Sequence, residues 1–536
     1  MTEPFVRQAL DPARSVVVEA CAGSGKTWLL VSRILRILLT DARPGDILAI
    51  TYTRKAAREI EARLRLWLRD LARLDDAAAC AFLEARGLDA AEALAVLPRA
   101  RGLIETVEQA SPAITITTFH GWFGRILSSA SLNAGLAGFA LAEAEGPLMD
   151  EAWALFARRC AEAPDGPVAT ALGQLYTLFG SANTRSLLDA FVSRRGEWQV
   201  FAAGASLESV LADMAAAAEV SSDEEALAMF YGAADLEARL LRYASYLGKN
   251  TASDQKAANA LIDALAIADD APRFEALVPI FLIGEGTVRV RKASKAQAGR
   301  LTEAGEADLL MLHESLAGAL LDCVAARLEL RVLEFNAAAL TASTALLTEF
   351  EAFKRQRRLM DYADLEIEVD RLLDDADRAP YLQARLDARY RHLLLDEFQD
   401  TNPVQWRILL AWLAAYEADA YRPSIFLVGD PKQSIYRFRR ADYRIFNHAA
   451  EWLSDGFDAV RLPNNHTWRN APAVVDVVNA LFVKEPAFVG FAEQAARRGA
   501  REGMVHLPAL VSAPELADDA DDGSLRDPLN VARRVR

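Results

Sequence analysis

"VVVEACAGSGKTWLLVSRIL" (residues 16–35) decides how the rest of this chain is read. An apolar run enters a loop of small residues, passes Gly25-Lys26-Thr27 and leaves in a segment with helical spacing. Strand, small-residue loop and helix in that order gather backbone N–H groups and a helix N-terminus around one point, which suits a phosphate. Ala20, Cys21, Ala22, Gly23, Ser24, Gly25, Lys26 and Thr27 fit the phosphate-loop pattern GxxxxGK[ST], with Ala20 in place of the first glycine. In that pattern Lys26 reaches the β- and γ-phosphates of a nucleotide such as ATP, and Thr27 ligates Mg²⁺. The bland alternative, a chance glycine-rich turn, does not require a strand before it and a helix after it.

Working outward, "SVVVEA" (15–20), "ILAITYT" (47–53), "AITITTF" (113–119), "HLLLDEF" (392–398) and "SIFLVGD" (424–430) are apolar runs that end in polar loops. Nearly continuous apolar runs are expected of parallel strands buried on both faces. Helical patterns follow several of them, such as "KAAREIEARLRLWLRDLARL" after the second. The alternation predicts an α/β fold with a parallel sheet, and ligands in such sheets sit at the carboxyl ends of the strands. The polar motifs fall at those ends. Between the strands of 1–127 and those of 350–455 lies an Ala/Leu/Glu-rich stretch, 128–349, read as a mostly helical insertion.

The run "LLLDEFQDT" (393–401) puts two carboxylates at a strand end. Asp396 is expected to hold Mg²⁺, directly or through water, and Glu397 to polarise an attacking water as general base. Two solvated carboxylates are the alternative, but the residues before them are apolar. Gln433 follows another strand end, where an amide would sense the γ-phosphate. Just beyond, Tyr436 and Phe438 alternate with Arg437 and Arg439, which suits base stacking with phosphate contact. Core packing is the competing account for Phe438.

The 536 residues allow roughly three domains, and 52% are hydrophobic. No uncharged apolar run of about 18 residues is present, so no membrane span is expected. "MTEPFVRQALDPARS" lacks the order of a secretion signal. Cys21, Cys80, Cys160 and Cys323 are scattered without a CxxC pair, which fits a reducing cytoplasm and argues against a zinc or iron–sulfur site. The net charge of −15 argues mildly against a nucleic-acid partner, although a local basic groove is compatible with that sum. "PELADDADDGS" (514–524) reads as an exposed acidic loop. "TVRVRKASKAQAGR" (287–300) carries five basic residues and no acid, and reads equally as a contact for duplex DNA or as a solvated loop.

With these motifs in view the chain resembles the superfamily 1 DNA helicases of the UvrD/Rep type, most of all the AddA/RecB branch. "FVRQALDP" resembles the adenine-reading Q motif, with Gln8 in the reading position. "AITYTRKAAREI" is similar to the motif that contacts single-stranded DNA and brings in Thr51, Tyr52, Thr53, Arg54 and Lys55. "TTFHGW" resembles "TFHSF" and brings in Thr118 and His120; "MDYADL" (360–365) is similar to "FDDL". "DEFQDTNPVQWRIL" and "GDPKQSIYRFRRAD" resemble the second and third motifs, and "TWRNAPAVVDVVNALF" the fourth. The resemblance implies a RecA-like P-loop NTPase fold, with the start of a second RecA-like domain at 456–536. It implies that Trp468 stacks on adenine and that Arg469 supplies positive charge to the γ-phosphate. DNA contacts are implied for Tyr436, Phe438 and Arg439.

The chain departs from the pattern at Ala20, at Trp28 (where an Arg often packs on adenine), at Thr467 (for Asn) and at Arg440 (for the Gly of "FRGA"). The fifth and sixth motifs and the nuclease of that branch are not found, and "NVARRVR" resembles the helix leading into the missing motifs. The expectation is thus a C-terminally truncated helicase. The expected function is an ATP-dependent translocase on single-stranded DNA that unwinds duplex in break repair and recombination, with Mg²⁺ as cofactor. Polarity, 3′→5′, and an AddB- or RecC-like partner are implied by resemblance alone. The rivals are an ATP- and DNA-binding remnant without unwinding activity and a P-loop ATPase acting on a small molecule.

Overall fold

The computed structural model describes residues 3–506 except 130–137, 143–145, 203, 219, 285, 417–421, 486–490 and 498. The acidic loop and the "NVARRVR" segment lie outside the described residues. The chain divides into two compact units, one made of residues 1–126 and 370–536 and the other of 127–369.

The first unit is built on a six-stranded parallel sheet: β1 (Val16–Ala20), β2 (Ile47–Thr51), β3 (Thr115–Thr118), β4 (His392–Leu395), β5 (Ser424–Gly429) and β6 (Val460–Asn464). Their spatial order is β6-β1-β5-β4-β2-β3. The first five are the apolar runs of the sequence. Their central members are buried because helices cover both faces of such a sheet. The sixth strand was not expected. "VRLPN" carries Arg461 and Pro463 and alternates partly buried with exposed residues, as an edge strand does. It pairs with β1 from Val16↔Val460 to Ala20↔Asn464. The sheet therefore runs past 456, where a second domain was expected to begin.

Helix α1 (Lys26–Leu38) follows β1, and its Leu29, Leu30, Ile34, Leu35 and Leu38 enter a core with Val16 and Val18. Helix α2 (Arg54–Arg73) follows β2; Thr53 caps it by accepting a hydrogen bond from the Ala56 N–H at 3.0 Å. Ile60, Leu64, Leu68 and Leu71 form its buried stripe.

His392 opens β4 opposite Ser424, with 2.7 Å between Nδ1 and the Ser424 hydroxyl. Burial, aided by the nearby Arg33, pushes its pKa down from 6.5 to about 4. The folded state thus prefers the neutral ring. That contribution is fully present above the unfolded pKa and is lost as pH falls from 6.5 towards 4. We expect the sheet to lose about 2 kcal/mol between pH 7 and pH 5 relative to His392→Gln. Amide hydrogen exchange of β4 and β5 checks it; parallel pH profiles in the two proteins would refute it.

The second unit is almost wholly helical, as the insertion was read. Its backbone is a 55-residue helix, α3 (Glu303–Arg357). The first half of α3, through Leu309, Leu316 and Leu320, enters one core with Leu240, Tyr243 and Phe274. The second half, through Ala342, Leu346 and Phe350, enters another with Phe156, Leu175 and Leu188. By length and composition alone α3 is apolar enough to cross a membrane, although no uncharged apolar run marks it in the sequence. Both ends are spent in these two cores.

The basic segment is largely occupied inside this unit. Arg291 pairs with Asp254 at 2.8 Å, and Arg300 donates to Asn250 Oδ1 at 2.8 Å. Arg289 donates to the Pro279 carbonyl at 2.9 Å, and its own carbonyl lies 2.6 Å from His313 Nε2. Lys292 and Lys295 are exposed. Arg289, Arg291 and Arg300 thus brace the fold, and Arg289 and Arg300 stay exposed along with the two lysines.

Candidate functional site

The loops leaving the carboxyl ends of β1, β4, β5 and β6 meet at one edge of the sheet. Ala20 ends β1 within the strand pairing, where no special backbone conformation is needed, so an alanine serves in place of glycine. Gly23 and Gly25 do need theirs, with φ of 73° and 92°. A Cβ on Gly23 would lie 2.5 Å from Arg469 Cβ, and the Trp468 N–H donates to the Gly23 carbonyl at 2.8 Å. The motif read around Thr467, Trp468 and Arg469 is therefore laid directly on the phosphate loop. No side chain caps α1 at Gly25, so its first N–H groups face the loop. Ala20 and Cys21 are buried, Ala22 and Thr27 half-buried, and the Ser24 hydroxyl is buried without a partner among the described residues.

Lys26 is 9% exposed and ion-paired to Glu397 at 2.7 Å. The same ammonium donates to Gln433 Oε1 at 3.4 Å. Next to this pair, Asp396 Oδ2 accepts from the Thr51 hydroxyl at 3.1 Å, while Oδ1 is buried without a partner among the described residues. Burial and then the Glu397 charge push the Asp396 carboxyl up to about 6, and the same two causes push Asp400 up to about 7. Glu397 itself sits in the left-handed region, with φ of 48°. Such a conformation costs of order 1–3 kcal/mol, and here it aims the carboxylate at Lys26.

Sequence reasoning missed the residues that hold these groups. Gln399 donates to Glu397 Oε2 at 2.8 Å and accepts from the Asp430 N–H at 3.0 Å, tying the β4 and β5 loops together. Asp430 in turn accepts from Gln433 Nε2 at 2.6 Å and so orients its amide towards Lys26. Both stand inside quoted motifs, "DEFQDT" and "GDPKQ", but their partners are fixed only by the crossing of two loops.

A second surface begins on the same loops. Tyr52 and Tyr436 stack with centroids 4.6 Å apart, and Phe438 follows Tyr436 at 5.8 Å. The Arg439 guanidinium lies over all three rings at 5.4–5.9 Å. Phe438 is 76% exposed, so core packing does not account for it. Arg54 and Lys55 are exposed on the first turn of α2. Thr51 and Thr53 are committed to Asp396 and to the helix cap. Thr118 likewise accepts from the Gly121 N–H at 3.2 Å, and His120 is half-buried with its ring edge-on to Phe123. Arg440 has a φ of 69°, in the region that glycine favours. Arg440→Gly should raise stability by about 1 kcal/mol and Arg440→Ala should not; urea midpoints compare them, and equal midpoints would refute the assignment of strain.

The remaining expected residues are Gln8, Trp28 and Trp468. Gln8 is exposed on the helix Glu3–Ala9. That helix is tied to α1 by the buried Arg33, which donates to the Ala9 carbonyl at 3.2 Å. Trp28 is half-buried on the first turn of α1. Trp468 is 50% exposed, with the Arg497 guanidinium 5.5 Å from its ring. Among the described residues no three His, Cys, Asp or Glu side chains converge as a metal site. A Mg²⁺ ion held with a nucleotide takes only one or two protein ligands, and the unpartnered Asp396 oxygen beside the phosphate loop suits that role.

A family model described as UvrD/REP helicase N-terminal domain matches residues 3–453. The AddA polypeptide of the ATP-dependent helicase/nuclease of Lactobacillus helveticus is 24% identical over 507 residues, covering 88% of this chain and 39% of that protein. The protein of the same name from Desulfitobacterium hafniense is 38% identical over 141 residues, 25% of this chain and 10% of its own length. The RecB polypeptide of the RecBCD enzyme of Mycolicibacterium smegmatis is 33% identical over 136 residues, 25% of this chain and 11% of that protein. In each of these three the match spans less than two fifths of the relative's own length.

Proposed function

This chain belongs to the UvrD/REP helicase family, and from that premise we propose that it is the ATP-hydrolysing motor of a DNA helicase acting in repair and recombination. One observation carries the proposal: Lys26 contacts both Glu397 and Gln433, and the two loops that supply Gln433 and Thr51 run straight on into Tyr436 and Tyr52. A change at the phosphate end therefore has a short covalent path to the aromatic surface.

Residues Ala20 to Thr27 would wrap the phosphates of ATP with backbone N–H groups, and Lys26 would leave Glu397 for the γ-phosphate. Thr27 and Asp396 would hold Mg²⁺, which when bound neutralises phosphate charge. Glu397, released from Lys26, would accept the proton of the attacking water. Gln433 would report the γ-phosphate to its own loop, and Arg469 would add positive charge in the transition state. Gln8, Trp28 and Trp468 would receive the adenine. Tyr52, Tyr436 and Phe438 would stack on bases of a single strand, with Arg54, Lys55 and Arg439 near its phosphates, at about 1–3 kcal/mol per stacked base. Thr51, Thr53, Thr118 and His120 would shape that surface from beneath. A 3′→5′ direction and a partner of the AddB or RecC kind are part of this proposal, by resemblance to that branch alone.

The test is phosphate release from ATP by this chain with and without single-stranded DNA. Stimulation by DNA is expected. Binding of both ligands without release would leave an ATP- and DNA-binding chain, and release indifferent to DNA would refute the coupling.

A further inference from the structure

Arg86 is only 5% exposed, yet no carboxylate partners it among the described residues. Its guanidinium carbon lies 3.3 Å from the centroid of Phe82, 4.1 Å from Trp67 and 5.5 Å from Trp28. Nη1 donates to the Phe82 carbonyl at 2.6 Å, while Nε is buried with no partner among the described residues. Burial alone pulls its pKa down to about 9. A buried cation with no counter-ion is costly, and an apolar side chain would fill such a site with less loss. The arrangement calls for something that the cation does there.

Its surroundings indicate what. Arg36 of α1 donates to the Arg86 carbonyl at 3.2 Å. Gly87 takes a left-handed conformation, φ 82°, and a Cβ on it would lie 2.9 Å from Arg7 Cα, next to Gln8. Arg86 and Gly87 are thus wedged between α1 and the helix that carries Gln8. Trp28 is the third residue of α1, and side chains of a helix lean towards its N-terminus, here the phosphate loop. A cation over one face of an indole fixes the ring and draws electron density to that side. The opposite face is then a rigid, better-matched surface for a purine ring.

We propose that Arg86 is a positioning residue for the nucleotide base: it holds the Trp28 indole as the platform on which adenine stacks. This rests on the nucleotide reading above and adds a residue that lies outside the phosphate loop and every motif quoted from the sequence. The triphosphate, held by Gly23 to Thr27, does not depend on it.

The experiment is calorimetric titration of the full chain with ATP and with inorganic tripolyphosphate, which has no base. Arg86→Met should weaken ATP about tenfold and leave tripolyphosphate within twofold. Arg86→Lys keeps the charge without the planar group and should give a smaller loss, about threefold, for ATP alone; it also serves if the methionine variant does not fold. Unchanged ATP affinity in the variants would overturn the proposal, as would equal weakening of both ligands, which marks general damage to the fold. Failure of the unmodified chain to bind either ligand would overturn the nucleotide reading and this proposal together.

Discussion

Replacing Lys26 with alanine should lower DNA-stimulated phosphate release by two to three orders of magnitude without unfolding the sheet. Lys26 is ion-paired to Glu397 beside Asp396 and Asp400, and burial followed by the Glu397 charge already pushes both of those carboxyls up. The Lys26 charge lowers the pKa of both Asp396 and Asp400. Without it the site loses the donor for the γ-phosphate, and its carboxylates repel the incoming triphosphate. The loss should therefore appear in both binding and turnover. Glu397→Gln separates the two roles. It removes the base and the negative charge together, so ATP should bind at least as tightly while release falls by a comparable factor. Rapid-quench measurement of a single turnover, with ATP affinity measured alongside, checks both variants. Stimulated release surviving in Lys26→Ala would refute the assignment of the phosphate loop.

How far this site could be read from sequence depended on the range of the interaction. Lys26, Asp396, Glu397 and Gln433 each follow an apolar strand, and a parallel sheet brings strand ends together, so their proximity was legible from local pattern alone. What was not legible were contacts set by two segments at once. Thr51 and Thr53 look like surface residues in "TYTRK", yet one hydroxyl is spent on Asp396 and the other on a helix cap. Arg86 sits in the turn after the helix Asp76–Glu84, in no motif, and only the fold shows three aromatic rings around it. The strand Val460–Asn464 was missed because Arg461 and Pro463 break the apolar run that marked the other five. In the basic segment the sequence showed the like charges but not the partners, Asp254 for Arg291 and Asn250 for Arg300, which lie far away in sequence.

The largest stability effect should come from the helical unit, where three buried charged side chains meet a fourth, the half-buried Asp364. Arg195 is 1% exposed, Lys354 3% and Asp361 0%. Lys354 donates to Asp361 at 2.7 Å and to Asp364 at 2.6 Å; Arg195 donates to Asp364 at 2.9 Å and also to Asp361. Lys354 and the two aspartates stand at helix ends that favour their charge. Lys354 is in the last turn of α3, where carbonyls are free. The Asp361 N–H donates to Asp364 at 2.9 Å and the Asp364 N–H to Asp361 at 3.1 Å, capping the helix Tyr362–Asp374. The group is neutral only as a whole. Arg195→Met leaves two carboxylates against one ammonium in a dry site, and should cost about 3–5 kcal/mol. Replacing Asp361 with Asn in the same chain restores the balance and should recover part of that loss, so the pair of changes should be far from additive. The pH dependence follows from the two cations, which hold the Asp361 carboxyl below its usual range against the effect of burial. A carboxyl depressed in this way contributes stability above its unfolded pKa and loses it as pH falls through the folded value, so the wild-type unit should weaken in acid more steeply than Arg195→Met. Because two units unfold in one chain, a single melting temperature would blur the effect. Hydrogen exchange resolved to the helix Arg195–Ala202 and the last turn of α3 reads it directly, and unchanged protection there in Arg195→Met would show that the four charges stabilise nothing as a group.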